Sequence, residues 1–209
     1  MLPFTPEQFL DVFKQYNLAV WPMPIVLYLM AALSLFLTLA RTKHSDKIIS
    51  GILAFFWIWM GLVYHLIFFA AINKAAYVFG IFFILQGTLF LISGFKGKLS
   101  FSYKTDAGRI IGAIFMSYGL VIYPILNYMF GHPYPYSPTF GLPCPTTIFT
   151  FGLLLWTSKK VPKYILIISL LWSFIGVSAA VNLGIWEDVM LAIAGVFGTT
   201  LIVWRDRKK

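Results

Sequence analysis

The only cysteine of this chain lies between two prolines and is followed by two threonines, in the segment Pro143-Cys144-Pro145-Thr146-Thr147. An apolar run follows at once, so we expect Cys144 to begin or cap a helix. The free N–H groups and positive dipole end of a helix start favour the thiolate, which is a stronger nucleophile and a better ligand for soft metal ions. In a purely structural role, Cys144 would be a small buried residue at a helix start.

Histidine and methionine residues elsewhere supply further donors for soft-metal chemistry. Thiolate, imidazole and thioether ligands together select Cu(I), Zn(II) or Hg(II) over hard cations. A haem held by His65 and His132 is disfavoured because His132 lies in a flexible, proline-rich loop. The cofactor therefore stays unknown, with a soft metal ion as the sharper hypothesis. Its predicted ligands are Cys144, His65, His132 and Met129, with Met116 as a further thioether.

A second set of polar residues is typical of a binding site for a small solute. Polar side chains inside a membrane span are functional candidates, because unpaired polarity there costs several kcal/mol. The alternative for each residue is an ordinary hydrogen bond to a neighbouring helix. The predicted solute-binding residues are His65, Asn73, Gln86, Tyr123, Asn127, Thr146 and Thr147.

Motifs for several enzyme classes are missing from the sequence. It contains no HExxH, Walker loop, CxxC or paired intramembrane carboxylates, so protease, ATPase and dithiol-oxidoreductase activities lack their residues. A membrane enzyme with Cys144 as nucleophile stays open, but it needs His65 or His132 as a base within about 3 Å. Binding is therefore favoured over catalysis.

The composition places these residues in an all-α integral membrane protein. Of 209 residues, 60% are hydrophobic and 11% are charged, so we expect a single membrane domain over residues 1–209. Apolar runs of about twenty residues predict seven transmembrane helices. Their predicted bounds are 20–40, 48–70, 75–95, 108–130, 140–157, 164–183 and 188–204.

The fifth predicted span contains a helix that is too short to cross a bilayer. From Pro145 to Thr157 an α-helix extends about 20 Å, against a hydrocarbon core of about 30 Å. Non-helical backbone survives at that depth only where it is buried in protein or lines a wet cavity. We therefore expect Pro143-Cys144-Pro145 to lie within the membrane profile, at the floor of an outward-facing polar funnel.

Basic residues gather in alternate loops, after the first, third, fifth and seventh spans. Only Lys14 and Lys74 fall on the other side. The positive-inside rule therefore predicts an outside N-terminus and a cytoplasmic C-terminus. Because topology alone requires this charge, it does not indicate a nucleic-acid partner. The basic residues of the predicted cytoplasmic side are Arg41, Lys43, Lys47, Lys96, Lys98, Lys104, Arg109, Lys159, Lys160, Lys163, Arg205, Arg207, Lys208 and Lys209.

Two further patterns concern the arrangement of the helices. The segment Thr5-Pro6-Glu7-Gln8 predicts a capping box that opens an amphipathic helix over residues 5–17. We expect this helix to be an interfacial anchor, with a lid over the site as the alternative. Asn73, Asn127 and Asn182 recur at spacings of 54 and 55 residues, which favours a 1+2+2+2 hairpin arrangement.

The chain resembles an uncharacterised family of bacterial polytopic inner-membrane proteins, a domain of unknown function. The resemblance is carried by FTPEQFLDVFKQYNLAVWP, YHLIFFAAIN and GLPCPTTIFTFGLLL, and its most specific part is PCPTT. It covers nearly the whole chain and implies a multi-pass protein of the bacterial inner membrane, without implying a reaction. The residues that match family-type motifs are Trp21, His65, Asn73, Pro143, Cys144, Pro145 and Thr146.

Together these observations predict a transporter or binding protein for a small solute or a soft metal ion. The alternative is an accessory or assembly subunit of a membrane complex with no catalytic activity, since aromatic residues make up 19% of the chain. The predicted partners are the lipid bilayer, the solute or metal ion, and either a second membrane protein or another copy of this chain.

Overall fold

The computed structural model describes residues 3–103 and 107–208, which form a bundle of helices. Lys104 and Lys209, two of the predicted cytoplasmic basic residues, lie outside the described residues. The regular structure within these ranges is helical apart from two isolated β-bridges, which confirms the all-α prediction. The α-helices are α1 (Pro6–Ala19), α2 (Met23–Ala40), α3 (Ser45–Trp59), α4 (Ala76–Phe95), α5 (Ala107–Ser117), α6 (Tyr123–Met129), α7 (Pro143–Leu155), α8 (Lys163–Leu183) and α9 (Val189–Arg207).

Short stretches of other helix types extend or join these elements. Helix α3 continues as π-helical turns over Met60–Phe68 and ends in a 3-10 turn at Phe69–Ala71. A second π-helical stretch, Tyr118–Ile122, joins α5 to α6. A 3-10 turn at Trp186–Asp188 leads into α9. Both π-helical stretches lie within predicted spans, so they widen the helix inside the bundle.

Among the described residues, six helical stretches are long and apolar enough to cross a membrane, and they indicate a multi-pass membrane protein. Helix α7 has 13 residues. At 1.5 Å per residue it extends about 20 Å, roughly two thirds of the hydrocarbon thickness. The six long stretches are Met23–Ala40, Ser45–Ala71, Ala76–Phe95, Gly108–Met129, Lys163–Leu183 and Trp186–Arg207.

Helix α7 is enclosed by the rest of the bundle. Every residue from Pro143 to Leu155 is buried except Cys144, which is half-buried. Helices α5 and α9 pack most closely against it, with further contacts from α3 and α8. Two glycines allow the approach of α5, because a Cβ on Gly152 would lie 2.7 Å from the carbonyl oxygen of Gly112. Close backbone contact through small residues is typical of helix pairs in membranes.

Non-helical chain fills the length that α7 lacks. Before the helix, residues 137–142 are buried, with Thr139 only partly so. After it, the Ser158 N–H donates to the Ser100 carbonyl at 2.7 Å, and the Ser102 N–H donates to the Trp156 carbonyl at 2.8 Å. The chain on both sides of α7 is therefore non-helical, and the part that precedes the helix is largely buried in protein.

The C-terminal end of α7 is held by Arg205 from α9. The guanidinium donates to the carbonyl oxygens of Leu155 at 3.0 Å and Leu154 at 3.5 Å, and to Thr157 Oγ1 at 2.9 Å. The last carbonyls of a helix have no intrahelical donor, so a buried helix end needs such a partner. Arg205 therefore caps α7 from a different helix.

Replacing Arg205 by methionine is expected to lower the free energy of unfolding by about 2 kcal/mol, because the buried Leu155 carbonyl and the Thr157 hydroxyl lose the guanidinium that donates to them. Thermal unfolding in detergent, followed by circular dichroism, measures the change. Arg207→Met is the control, since Arg207 is exposed on the same helix. Equal destabilisation by the two substitutions would contradict a capping role for Arg205.

Consecutive helices pack as hairpins. Helix α3 packs on α4, α5 on α7 and α8 on α9, while α2 lies against α3. Paired packing of this kind is what the predicted 1+2+2+2 arrangement requires, although six stretches of the described residues, and not seven, are long enough to cross a membrane. The three asparagines that suggested it have different roles: Asn73 caps the following turn, Asn127 bonds to the loop before α7 and Asn182 bonds within its own helix. Their side chains therefore do not share a repeated structural role.

Helix direction alternates along these hairpins and defines two ends of the bundle. The loop end carries α1 and residues 130–142, whereas the basic end carries residues 41–44, 96–103 and 157–162. At the loop end the predicted capping box is confirmed. The Gln8 N–H donates to Thr5 Oγ1 at 3.3 Å, and the Thr5 N–H donates to Gln8 Oε1 at 2.9 Å.

Candidate functional site

A cavity of about 450 Å³ lies at the loop end, beside the first turn of α7. Eight aromatic residues form much of its wall, and the polar residues at the wall include Cys144, Asp188, Asn73 and Ser178. At the position where the sequence predicts a polar funnel, the structure has a cavity whose wall is mainly apolar. The aromatic lining residues are Phe4, Phe9, Phe13, Tyr64, Phe69, Phe79, Trp172 and Phe174.

Helix α1 forms one side of this cavity, and Asn17 fixes its position. The Asn17 amide donates to the carbonyl oxygens of Pro135 and Ser137, both at 2.8 Å. The Thr139 hydroxyl donates to Asn17 Oδ1 at 2.8 Å. Phe9 and Phe13, which precede Asn17 in α1, line the cavity. Helix α1 therefore has the position of a cover over the cavity. A lid over the site was the alternative prediction to a plain interfacial anchor.

A second contact joins α1 to the end of α3, just before the π-helical turns. Trp59 Nε1 donates to the Tyr16 hydroxyl at 2.8 Å. Burial raises the pKa of Tyr16 to about 12, so this hydroxyl stays protonated at neutral pH. Phe13 and Tyr16 face the bundle, and their rings contact Tyr64. The predicted apolar face of α1 is therefore packed against protein.

The polar corner of the cavity joins α6, α7 and α9. Cys144 lies in the first turn of α7, and its thiol is a close neighbour of the Asp188 carboxyl group. The Tyr123 hydroxyl donates to Asp188 Oδ1. Tyr123, a predicted solute-binding residue, thus holds one oxygen of the carboxyl group that lies beside the Cys144 thiol.

Glu187 lies next to this corner and is fully buried. His132 Nδ1 lies 3.3 Å from Glu187 Oε1, and the Tyr118 hydroxyl donates to the Glu187 carbonyl at 2.7 Å. Glu187 Oε2 has no hydrogen-bond partner among the described residues. Unpaired buried carboxylates are costly, so a buried acid with an open oxygen next to a cavity is a functional candidate.

The two π-helical stretches lie near the cavity, and Tyr64 of the first one lines it. Tyr64 and His65 lie in the first stretch, and Tyr118 begins the second. Gly119 lets the second stretch approach α7, since a Cβ there would lie 2.6 Å from the Pro145 carbonyl oxygen. Single π-helical turns occur often at functional sites. They were not predicted from the sequence.

His65 is buried behind the cavity wall. Its ring lies 4.6 Å from the Phe83 ring and 5.1 Å from the Trp172 ring, measured between centroids. Neither ring nitrogen has a hydrogen-bond partner among the described residues. His65 is therefore separated from the cavity by aromatic side chains, although Trp172 itself lines the cavity.

The other predicted solute-binding residues have mixed placements. Asn73 lines the cavity. Gln86 donates to a carbonyl of α8 at 2.8 Å, and Asn127 donates to the loop before α7 at 3.0 Å. Thr146 Oγ1 accepts the N–H of Gly141 at 2.9 Å. Thr147 Oγ1 is buried and has no partner among the described residues. The structure thus brings only part of the predicted set to one place.

The predicted metal ligands do not converge. Met129 is 69% exposed, His132 pairs with Glu187, and His65 is enclosed by aromatic rings. Within residues 3–103 and 107–208, no group of three or more His, Cys, Asp or Glu side chains is arranged to hold a metal ion. The donor set therefore does not fit a resident soft metal ion.

Asp188, Glu187 and Trp172 were not among the predicted site residues. The sequence does carry a signal for the acids: they are adjacent and lie between apolar residues, Trp186 before them and Val189 after them. In the sequence, such a pair of acids is typical of a loop that precedes a membrane span. Only the tertiary structure shows that the turn is buried and that its carboxyl groups face inward.

Comparison with known proteins assigns the chain to a family but does not assign a function. A family model, described as a family of unknown function, matches residues 6–209, nearly the whole chain. No curated protein and no solved structure matches the chain. The function therefore has to be inferred from the site itself.

Proposed function

The chain belongs to DUF6064, a family of unknown function, and we propose that it is a membrane transporter or receptor that binds a small solute in the cavity beside α7. The observation that carries this proposal is the lining of that cavity. It places a thiol, a carboxyl group and an amide, from Cys144, Asp188 and Asn73, against an aromatic wall. Mostly apolar pockets with a few convergent polar groups are typical of ligand sites.

In this proposal the chain crosses the bacterial inner membrane, with α7 counted as a seventh, broken span. The loop end faces outward and the basic end faces the cytoplasm. The support is the clustering of lysine and arginine at the basic end, which the positive-inside rule assigns to the cytoplasm. Short, interrupted helices that end at the membrane midplane are a feature of transporter binding sites. The solute would reach Cys144 from outside, beneath α1.

The sole cysteine offers a direct test. In purified protein in detergent, Cys144 is expected to react with N-ethylmaleimide while the protein stays folded. A water-soluble aromatic amphipath such as 2-phenylethanol or 2-phenylethylamine is expected to slow this reaction saturably. Ala179→Trp fills the cavity and is expected to slow labelling without any ligand, because Ala179 lines the cavity.

Val181→Trp is the matched control, because Val181 lies on the same helix and is exposed. It should leave the labelling rate unchanged. Labelling of Cys144 that no amphipath slows would overturn the binding proposal.

A competing proposal is an accessory or assembly subunit. Its specific support is a row of exposed aromatic side chains at the loop end, Tyr128, Phe130, Tyr134 and Trp186. Aromatic residues are enriched at protein interfaces, although they also mark membrane surfaces. Purification in mild detergent separates the two functions: a stable complex with another membrane protein favours the subunit, and a lone monodisperse species favours the solute-binding protein.

A further inference from the structure

We infer that the cavity selects a small organic cation, an amine or quaternary ammonium compound with an apolar body. This inference rests on the proposed solute binding and names the chemical class of the solute. Three features of the cavity support it: the sign of its charge, the chemistry of its wall and the poor supply of donors for an anion.

The carboxyl groups at the cavity supply negative charge when they are ionised. Asp188 lines the wall, and Glu187 directly precedes it in the same buried turn. The lysines of the loop end, Lys14 and Lys74, do not line the cavity; each lies over a tyrosine ring elsewhere. Buried carboxyl groups attract a cation and repel an anion more strongly at low dielectric than in water.

The wall suits an ammonium group with an apolar body. Phe9, Phe69 and Tyr64 form part of one continuous aromatic cluster, with ring centroids 5.6 Å apart between successive pairs. Trp172 lines the cavity as well. Aromatic faces attract cations through their quadrupole, most strongly where water is excluded. An aromatic wall beside a carboxyl group therefore recognises both the charge and the body of such a ligand.

The helix start at the cavity is a poor anion site. Helix N-termini bind anions through free backbone N–H groups. Here Pro143 and Pro145 have no N–H, and the N–H of Thr146 bonds to the Leu142 carbonyl at 3.3 Å. Cys144 alone keeps a free N–H in that turn. The prolines thus remove the donors that an anionic solute would need.

The size of the cavity limits the ligand to a small molecule. Its volume of about 450 Å³ lies in the lower part of the range of about 300–1,000 Å³ found for ligand pockets. A phenylethylamine-sized cation fits this range. A lipid acyl chain is the alternative apolar occupant, but it leaves the carboxyl group without a partner.

Three ligands with the same aromatic body and different head groups test the inference on the unmodified protein. Protection of Cys144 from N-ethylmaleimide is measured with 2-phenylethylamine, 2-phenylethanol and phenylacetate. The amine is expected to bind at least about tenfold more tightly than the alcohol. A tenfold ratio of dissociation constants corresponds to a difference of about 1.4 kcal/mol in binding free energy. Phenylacetate is expected to protect least.

Asp188→Asn should abolish the preference for the amine over the alcohol, because it removes the charge and keeps the shape. Asp11→Asn is the control, since Asp11 is an acid of the exposed face of α1 that does not line the cavity. If Asp188→Asn fails to fold, the head-group ranking in the unmodified protein decides alone.

The possible outcomes distinguish a failure of the cation specificity from a failure of the proposed solute binding. Equal protection by amine and alcohol, or tightest binding of phenylacetate, overturns the cation specificity and leaves solute binding intact. Saturable protection by the alcohol alone indicates an apolar occupant such as a lipid chain. No protection by any of the three overturns solute binding itself.

Discussion

Replacing Gly152 by alanine is expected to destabilise the folded protein by about 3 kcal/mol, because overpacking at a fixed backbone contact has nowhere to relax. A Cβ at this position would lie 2.5 Å from Met116 Cγ and 2.7 Å from the Gly112 carbonyl oxygen. The Met116 side chain can change rotamer, but the Gly112 carbonyl oxygen belongs to the backbone of α5 and moves only if the helix moves. The added methyl group must therefore push α5 and α7 apart.

Thermal unfolding in detergent measures this loss, and Gly51→Ala is its matched control. Gly51 also lies inside a helix, but a Cβ there meets no atom within 4 Å. Alanine at Gly51 should be neutral or stabilising by up to about 1 kcal/mol, since it reduces the entropy lost on folding. Similar melting temperatures for the two variants would show that the α5–α7 contact is not as tight as the structure indicates.

Replacing Asn17 by alanine is expected to cost about 3 kcal/mol and to loosen the cover of the cavity, because buried groups lose their hydrogen-bond partners. The carbonyl oxygens of Pro135 and Ser137 lose a donor, and the Thr139 hydroxyl loses an acceptor. Helix α1 and the loop before α7 then lose the side chain that joins them. Helix α1 and the loop before α7 should exchange amide hydrogens faster than in the unmodified protein, and Cys144 should react faster with N-ethylmaleimide.

Asn182→Ala is the control for the Asn17 variant. Asn182 makes one side-chain hydrogen bond, to the Ser178 carbonyl of its own helix, and it is exposed. Its replacement should leave stability and Cys144 labelling close to those of the unmodified protein. An Asn17 variant with unchanged hydrogen exchange over residues 6–19 would refute the fastening role of this side chain.

The sequence was sufficient for the helices and for the break at α7. Hydrophobic runs predict the helices because lipid requires about twenty apolar residues in a row. The same requirement made a 13-residue helix conspicuous, which was predicted over Pro145–Thr157 and is found over Pro143–Leu155. Cys144 was expected to begin or cap this helix and lies in its first turn, because Pro143 and Pro145 are tolerated at a helix start and poorly anywhere else in a helix.

The site was predicted only in part, because side-chain neighbours depend on how helices rotate against one another. His65 was assigned to the site by depth, yet Trp172 and Phe83 enclose it. Asp188 was not assigned to the site, since an acid before a span normally faces water. The π-helical turns, which contain the cavity-lining Tyr64, have no clear signal in composition or periodicity.

The enclosure of α7 constrains the order in which the protein is made. Helix α7 leaves the ribosome before α8 and α9, yet α9 covers one of its sides and caps its C-terminal carbonyls through Arg205. Until α9 arrives, the Leu155 carbonyl lacks the guanidinium that donates to it in the folded protein. Synthesis of α9, which has 19 residues, is therefore the step that completes the enclosure of α7, and the cavity beside Cys144 is completed only after Asp188 has been made.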